Sequence, residues 1–408
     1  MKLLTFSLED ENKNYKKNNY PIILVHGFGG WGRDQAIGDL ILGYEYYWGG
    51  CNDIEQKLTS SGYKTLTGEL GPFSSNWDRA CELYAYIKGG TVDYGEVHSQ
   101  KHGHQRYGRS YRGIYPDWGE LSSDEKIHKI HLVGHSMGGT TSRTLVQLLA
   151  KGDEKERVAN QENLNPLFLG NKPWVHSVTT ISSPHDGTTM IDGRGSLLEE
   201  VIKDAIYIIS YGMNKQPSDN EIIDFKLEHW NLSIKPTEKL GSYIKRIIDS
   251  KIWEKTKDFS IYDLSTDGAR KLNKWVRTQP DVYYFSWATS ATMPIPIAGY
   301  HIPIPRTMNK LLYPGSLLMG KYTRDEVNKV IIDESWWEND GYVNTVSQNG
   351  PKWGSNDMII PFNGTAKKGV WNFMGKLEDT DHKAIIGQGR DVFQFYKDLA
   401  KFLNELPD

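Results

Sequence analysis

The chain has little cysteine, no long apolar run and almost no excess charge, and each shortage excludes a class of protein. Its 408 residues include two cysteines, Cys51 and Cys81, too few for a disulfide framework, so we expect buried thiols rather than a bridge. The formal net charge of −3 gives no electrostatic reason to bind nucleic acid. No apolar run is long enough to span a bilayer, so we expect no transmembrane segment.

The chain also lacks a recognisable export signal. Residues 1–19 form a polar leader, in which acidic residues follow a short apolar start and no cleavage site is visible. The length suits either one large α/β domain with insertions or two domains. Because we find neither an internal repeat nor a low-complexity linker, we expect a single domain over residues 1–408.

Residues 127–150 carry the clearest local pattern. Mostly apolar, alternating residues predict a strand, the pentapeptide GHSMG at 134–138 predicts a sharp turn, and a helical pattern follows. This order is the context of a G-x-S-x-G nucleophile elbow. A side chain at Gly134 or Gly138 would collide with the neighbouring strand or helix, and the helix N-terminus favours a developing oxyanion. The pattern therefore predicts Ser136 as a nucleophile.

A buried strand running into a glycine-rich loop precedes the elbow. The segment YPIILVHGFGGWGRD reads as a parallel strand covered on both faces. Its loop stands where an oxyanion loop precedes an elbow, so the backbone N–H groups of Phe28 and Met137 are the expected oxyanion donors. The alternative is an ordinary glycine-rich turn.

The order of the chain selects the base and the acid. A serine nucleophile needs a histidine base oriented by a carboxylate, and in α/β-hydrolases these follow the serine as acid and then histidine. Seven of the twelve histidines precede Ser136 and are excluded. Of the others, His382 alone follows the last predicted strand and precedes the C-terminal helix. Asp340, in a polar turn, is the preferred acid, and Asp333 and Asp357 are less well placed.

Residues 91–116 do not scan as part of the main sheet and are interpreted as an insertion. They contain His98, His102 and His104, and histidine with aspartate is a common zinc ligand set. Spacing alone leaves a zinc site and ordinary surface histidines as open alternatives.

Residues 190–260 have helical patterns and are interpreted as a helical lid region over an apolar cleft. Residues 196–213 predict a helix with one strongly apolar side, and a second helical group is predicted over 220–253. Plain core helices are an equal alternative. After the next predicted strand, 282–290, the segment MPIPIAGYHIPIP is expected to be a proline-rich loop.

Longer motifs carry a resemblance to a known family. They are HGFGGWGR, YYWGG, GPFSSNWDRACE, GGTVDYG, KHGH, GHSMGG, SVTTISSPHDGTT, DFKLEHW, ENDGYVNTVSQNGP and KKGVWNFMG with a following DH. Together they resemble the large zinc-containing lipases of bacilli and staphylococci and their clostridial esterase relatives. The resemblance covers nearly the whole chain from Pro21. It implies an α/β-hydrolase fold, with a mostly parallel sheet flanked by helices, a helical lid and a zinc-binding insertion.

The resemblance also implies site residues. It places a triad on Ser136, Asp340 and His382, in agreement with chain order, and an oxyanion hole on the amides of Phe28 and Met137. It implies a structural Zn²⁺ bound by two aspartates and two histidines, with His102 left out: Asp78, His98, His104 and Asp258.

One departure from the family concerns calcium. Calcium-binding relatives carry an acid two residues after the base and an aspartate seven after it, where this chain has Ala384 and Gly389. Calcium ligation of that type is therefore not expected.

The resemblance implies a secreted, monomeric carboxylic ester hydrolase, a lipase or esterase, acting on hydrophobic esters at a lipid–water interface. A thioesterase or acyltransferase would use the same residues, and a non-catalytic lipid-binding module is the third reading. The acyl chain length stays open, because it depends on how the lid packs.

Overall fold

The structure is a computed structural model that describes residues 19–33, 46–159, 161–193, 224–297 and 299–408. The predicted helix over 196–213 lies outside these residues. None of the described helices is long and apolar enough to cross a membrane.

The described strands form one large sheet and two small ones. They are β1 (Ile22–Val25), β2 (Thr65–Thr67), β3 (Gly90–Asp93), β4 (Tyr107–Tyr111), β5 (Ile130–His135), β6 (Val175–Ile181), β7 (Tyr283–Thr289), β8 (Thr292–Pro294), β9 (His301–Pro303), β10 (Ile359–Pro361) and β11 (Trp371–Leu377). The large sheet has the order β10-β11-β7-β6-β5-β1-β2, and every neighbouring pair in it is parallel. The pairs β3–β4 and β8–β9 are antiparallel.

Helices connect the strands and cover the sheet. The described α-helices are α1 (Ile54–Ser60), α2 (Asn76–Lys88), α3 (Glu96–His102), α4 (Met137–Lys151), α5 (Glu154–Ala159), α6 (Thr189–Asp192), α7 (Leu240–Ile248), α8 (Ile252–Lys255), α9 (Ser260–Leu264), α10 (Thr266–Asn273), α11 (Tyr313–Met319) and α12 (Phe393–Asn404).

Strand β1 shows why the strands of the large sheet are continuous apolar runs in the sequence. Ile22 and Leu24 belong to the core cluster that includes residues of α1 and α12. Ile23 and Val25 belong to the opposite cluster, which includes residues of α2 and α4. Burying each such side chain contributes about 1.5–3 kcal/mol. Because both faces of the sheet are covered, alternation of apolar and polar residues is lost.

The parallel sheet brings several loops to one edge. The glycine-rich loop follows β1, the GHSMG turn follows β5, and the loops after β7 and β11 lead towards Asp340 and His382. Carboxyl ends of parallel strands share an edge, which is where α/β proteins build their sites. The predicted fold class, a mostly parallel sheet flanked by helices, is confirmed.

The 91–116 segment lies outside the main sheet, as predicted, but it has regular structure of its own. Strands β3 and β4 form a small antiparallel sheet around α3. The register shifts between Thr91 and Asp93, which marks a local irregularity in this pair.

Two secondary-structure predictions were wrong. The proline-rich loop is a hairpin, in which Met293 of β8 faces Ile302 of β9. Proline is tolerated there because each strand of a two-stranded sheet has one unpaired edge. The helical group predicted over 220–253 is confirmed by α7 and by the start of α8, and it is wrong for residues 224–239, which contain only a 3₁₀ helix at Glu228–Trp230. Lys226 and Asn231 there adopt positive φ angles of 52° and 59°, which an α-helix does not allow. Phe225, Leu227 and Leu232 are buried outside any helix.

The cysteine prediction holds only in part. Cys51 and Cys81 are both free, as expected, and Cys81 is buried. Cys51 is exposed, which corrects the expectation of two buried thiols.

Candidate functional site

Ser136 lies at a strained turn between β5 and α4. Its φ and ψ of 55° and −131° fall outside the regions favoured for residues with a side chain. A Cβ atom at Gly138 would overlap the carbonyl oxygen of Val25 in β1, and one at Gly134 would overlap the backbone of Gly138. The two glycines therefore allow the turn to close against its own helix and the neighbouring strand, as predicted.

The glycine-rich loop after β1 approaches Ser136 closely. A Cβ atom at Gly27 would lie 2.7 Å from the Cβ of Ser136 and 3.1 Å from its Oγ. Among the described residues, no intramolecular acceptor pairs with the backbone N–H of Phe28 or of Met137. Both amides are therefore available to an external acceptor beside the serine.

His382 and Asp340 form a buried hydrogen-bonded pair. The distance between His382 Nδ1 and Asp340 Oδ2 is 2.8 Å, and the backbone N–H of His382 donates to the carbonyl oxygen of Asp340 at 2.9 Å. The carboxylate is fully buried and accepts further hydrogen bonds from Thr289 Oγ1, Gln348 Nε2 and the backbone N–H groups of Tyr342 and Val343. These donors satisfy the carboxylate oxygens and fix their position.

The structure brings the three predicted triad positions to one edge of the sheet. The ring of His135, the residue before Ser136, lies 4.5 Å from the ring of His382. The two rejected acids have other partners: Asp333 caps a 3₁₀ turn through Ser335, and Asp357 accepts from the backbone of Thr278.

A second cluster joins two carboxylates and two imidazoles. Ligand atoms of Asp78, His98, His104 and Asp258 all lie within 4.8 Å of one another. His98 Nε2 is 3.2 Å from Asp78 Oδ1 and 2.9 Å from Asp258 Oδ2, and His104 Nε2 is 3.3 Å from Asp258 Oδ2. Tetrahedral ligands about 2.0–2.1 Å from a zinc ion are separated from each other by roughly 3.3 Å. The donor set and its spacing therefore fit a metal ion.

Unsatisfied atoms in this cluster support the same fit. Both carboxylate oxygens of Asp78 and the Nε2 atom of His104 are buried and have no hydrogen-bond partner among the described residues. Imidazole and carboxylate atoms face these atoms at 3.2–3.3 Å without forming a hydrogen bond, which is the arrangement expected of ligands around a shared cation.

Local structure places these four ligands. Asp78 stands in the first turn of α2, whose N-cap Ser75 accepts from the Asp78 amide at 3.1 Å. His98 lies on α3, and His104 follows the left-handed residue Gly103 that ends this helix. Asp258 precedes α9, next to a β-bridge between Ser74 and Phe259.

Two further histidines flank the cluster. His102 is not part of it, as predicted, because its Nδ1 pairs with Thr256 Oγ1 at 2.8 Å. His229 was not predicted near it, yet its Nε2 lies 3.3 Å from Asp78 Oδ2 and the residue is fully buried. No local signal reveals this contact, since His229 is far from Asp78 in sequence.

A serine at a strained strand-to-helix turn, on a parallel sheet with a histidine–aspartate pair at the same edge, defines the α/β-hydrolase class. The model of the family described as "Lipase-like, C-terminal domain" matches residues 18–408. The chain belongs to this family.

Individual relatives agree with this assignment. The chain is 37% identical over 404 residues to a lipase of Staphylococcus epidermidis, covering 98% of this chain and 54% of that one. The structure of EstA from Clostridium botulinum is similar with 49% identity and a TM-score of 0.89, covering 99% of this chain and 92% of that one. Lipase 1 from Pelosinus fermentans gives 50% identity and a TM-score of 0.85, covering 96% of this chain and 100% of that one. The chain thus spans about half the length of the curated lipases it matches.

Proposed function

We propose that this chain hydrolyses carboxylic esters through an acyl intermediate on Ser136. The observation that carries the proposal is the hydrogen bond between His382 Nδ1 and Asp340, at the sheet edge where Ser136 stands in a strained turn. A histidine whose Nδ1 proton is held by a carboxylate has Nε2 free to accept the serine proton. The lipases and esterases among its relatives support the same reaction class.

The reaction would proceed in two halves. His382 removes the proton of Ser136 Oγ as this oxygen attacks the ester carbonyl, and the amides of Phe28 and Met137 donate to the resulting oxyanion. His382 then gives the proton to the leaving alcohol, and an acyl-serine remains. Water, deprotonated by His382, attacks the acyl-serine and releases the acid. Asp340 holds the imidazole in the required tautomer and stabilises its positive charge.

We propose zinc as the ion of the second cluster. Asp78, His98, His104 and Asp258 would hold it, and four protein ligands leave no open coordination position. Bound in this way, zinc supplies no nucleophile and braces the fold, because it ties α2 and α3 to the segment before α9. The absence of calcium ligation at Ala384 and Gly389 stays a prediction.

Hydrophobic esters at a lipid surface are the proposed substrates. The strongly apolar side of the helix predicted over 196–213 supports this proposal, and residues 194–223 lie outside the described residues. Secretion and a monomeric state are expected from the family resemblance.

Substitution of the nucleophile tests the proposal. Ser136→Ala removes the attacking oxygen and is expected to lower kcat on a soluble short-chain ester by a factor of about 10⁶. A serine-directed phosphonate should label the unsubstituted chain and leave the variant unlabelled. Retained hydrolysis in a folded Ser136→Ala protein would overturn the assignment. Faster hydrolysis of thioesters than of esters would identify a thioesterase instead, and formation of a new ester from an added alcohol acceptor would identify an acyltransferase.

A further inference from the structure

Exposed apolar side chains are concentrated in one segment, residues 291–320, which we call the apolar rim. Of the thirteen large apolar side chains exposed among the described residues, five lie in these 30 residues: Met293, Ile297, Tyr300, Leu311 and Leu317. Ile297, at the tip of the β8–β9 hairpin, is fully exposed, and Leu311 is 68% exposed. Clustered exposure of this kind marks an interaction surface.

The pieces of the apolar rim are held together. The backbone N–H of His301 in β9 donates to the carbonyl oxygen of Gly320, which joins the hairpin to the end of α11 at 2.9 Å. Ala291, Met308 and Leu312 form a small buried cluster beneath the rim. The exposed side chains are therefore presented by an ordered support.

The apolar rim adjoins the candidate active site. The amide of Asn309 donates to Asp381 Oδ2 at 2.7 Å, directly before His382. Tyr342 packs against the buried cluster beneath the rim, and its ring lies 5.4 Å from the ring of His382. A partner that contacts the apolar rim would therefore lie close to His382, the proposed base.

The charge of this segment limits what its partner is. Residues 282–324 contain no aspartate or glutamate, although the whole chain has a net charge of −3. Arg306 and Lys310 are exposed within the rim. A surface with both apolar and basic side chains is suited to a lipid interface with negatively charged headgroups. The apolar side chains contribute by burial in the acyl boundary, and the basic side chains contribute by attraction to the headgroups.

We propose that the apolar rim docks the protein onto anionic lipid surfaces. Ile297 and Leu311 enter the acyl boundary while Arg306 and Lys310 contact the headgroups. The choice of a lipid surface rests on the proposed ester hydrolysis, but the binding itself requires no turnover.

Vesicle sedimentation in the Ser136→Ala background tests the docking without lipid hydrolysis. The protein is expected to partition onto phosphatidylcholine vesicles containing phosphatidylglycerol and much less onto phosphatidylcholine alone. Ile297→Asp and Leu311→Asp should each weaken partitioning on the order of tenfold, because a buried apolar contact is lost. Arg306→Gln and Lys310→Gln should each weaken it about fivefold, and only on anionic vesicles.

Val158→Asp is the matched control, because Val158 is 71% exposed on α5, outside the rim. It should bind as tightly as the parent, and the thermal midpoints of all variants should match. No sedimentation of the parent, or equal partitioning of all variants, would overturn the docking. Hydrolysis of a soluble ester by the unsubstituted protein reports separately on the proposed function.

A second inference concerns a chain of buried hydrogen bonds between the oxyanion loop and His382. The N–H of Gly27 donates to Tyr47 Oη at 3.0 Å, and Tyr47 Oη lies 2.7 Å from His135 Nδ1. His135 Nε2 lies 2.9 Å from the carbonyl oxygen of His382. The side chains of Tyr47 and His135 are both buried.

The direction of each hydrogen bond follows from the atoms that can only accept a proton. A carbonyl oxygen only accepts, so His135 Nε2 carries a proton. Burial, with the neighbouring His382, lowers the pKa of His135 well below its usual value, so the ring is neutral and Nδ1 has no proton. Tyr47 Oη must then donate to Nδ1, and its lone pair accepts from Gly27.

We infer that Tyr47 and His135 are positioning residues that set the distance between the oxyanion loop and the base. At one end of this series of hydrogen bonds, Gly27 precedes Phe28, whose amide is a proposed oxyanion donor. At the other end, His135 holds the backbone carbonyl of His382. Neither Tyr47 nor His135 touches the reacting atoms in this role.

Removing the Tyr47 hydroxyl tests this inference. Tyr47→Phe is expected to lower kcat on a soluble ester on the order of tenfold to a hundredfold with KM little changed, because misplaced groups lose transition-state contacts. Tyr284→Phe is the matched control, since Tyr284 Oη is also buried and accepts a backbone N–H, from Gln279 at 2.9 Å. Both variants should lose similar stability. Equal kcat values in the two variants would refute a positioning role.

Discussion

At the scale of single residues, Gly27 shows how little space separates the glycine-rich loop after β1, the proposed oxyanion loop, from Ser136. An added Cβ would meet Ser136 Cβ at 2.7 Å, closer than such atoms approach in folded proteins. The loop or the serine would have to move, although the backbone of Gly27 needs no positive φ.

Gly27→Ala is therefore expected to reduce kcat about 100-fold or more, since a displacement near 1 Å at a catalytic group has this effect. Stability should fall by about 1–3 kcal/mol from overpacking. Steady-state kinetics and urea unfolding measure the two quantities. Gly241→Ala in α7 is a control for the added methyl group, because nothing lies within 4 Å of its Cβ. Unchanged kcat in Gly27→Ala would contradict the close approach.

Buried neutral histidines make stability depend on pH. Burial, and secondarily His176, lowers the pKa of His131 well below its usual value. The unfolded chain then binds a proton below about pH 6.5 that the native protein does not bind, so stability falls as pH falls below that value.

His131→Gln removes this proton uptake and should make the fall in stability less steep by up to about 1.4 kcal/mol per pH unit below pH 6.5. Glutamine can still contact Ser177, the present partner of His131 Nδ1 at 2.8 Å. Urea unfolding of both proteins at several pH values between 5 and 7.5 measures the difference. If stability falls equally steeply with pH in both proteins, then His131 binds its proton in the native protein as it does in the unfolded chain.

At the scale of elements, Arg79 joins helix α2 to the loop after β1, which contains His26, and to the loop after β2, which contains Gly71. Its guanidinium donates to the carbonyl oxygens of Gly71 and His26 and to Thr141 Oγ1 of α4. Burial lowers the pKa of Arg79 to about 10, which leaves it charged at neutral pH. Because Asp78 is the preceding residue, α2 contacts both the candidate metal cluster and the glycine-rich loop after β1.

Arg79→Met keeps much of the side-chain volume but leaves two buried carbonyl oxygens without a donor. Each such group costs about 1–3 kcal/mol, so the free energy of unfolding should drop by at least about 3 kcal/mol. Arg112→Met, at an exposed arginine, is the matched control and should stay within about 0.5 kcal/mol of the parent. A similar small effect at Arg79 would contradict its bracing role.

The same helix illustrates what local patterns can and cannot predict. The start of α2 follows from the capping serine before it, but the burial of the polar residues Asp78, Arg79 and Glu82 on this helix follows from no local pattern. The irregular segment 224–239 shows the opposite case, because its apolar residues satisfy a buried environment and not a helical period.

At the scale of the whole molecule, the candidate metal cluster connects parts of the chain that are distant in sequence. His98 and Asp258 are 160 residues apart, and both carboxylates of the cluster are buried. Without a cation the two carboxylates would repel each other, so the metal should contribute to global stability.

Chelation is therefore expected to lower the thermal midpoint by several degrees, and His104→Ala should do the same without a chelator. Zinc should restore the midpoint of the chelated protein but not fully that of the variant. Elemental analysis should find about one zinc per chain. An unchanged midpoint after complete metal removal would refute a structural role.

The sequence by itself determined the elements whose signals are local. The strand–turn–helix order around Ser136 and the buried strands follow from periodicity and glycine positions. The order of the chain predicts Asp340 as the acid and His382 as the base, and this assignment stays a prediction. The long motifs added the expected metal ligands through the family resemblance. The structure groups the same four residues, although the identity of the ion stays a proposal.

Only the tertiary structure decided which distant groups meet. His229 reaches Asp78, and His135 reaches the backbone of His382 across 247 residues, without any spacing that predicts either contact. The proline-rich segment became an exposed hairpin because it pairs with itself and not with the main sheet. Such contacts depend on how strands and helices pack on the parallel sheet, and the spacing of residues along the sequence does not predict that packing.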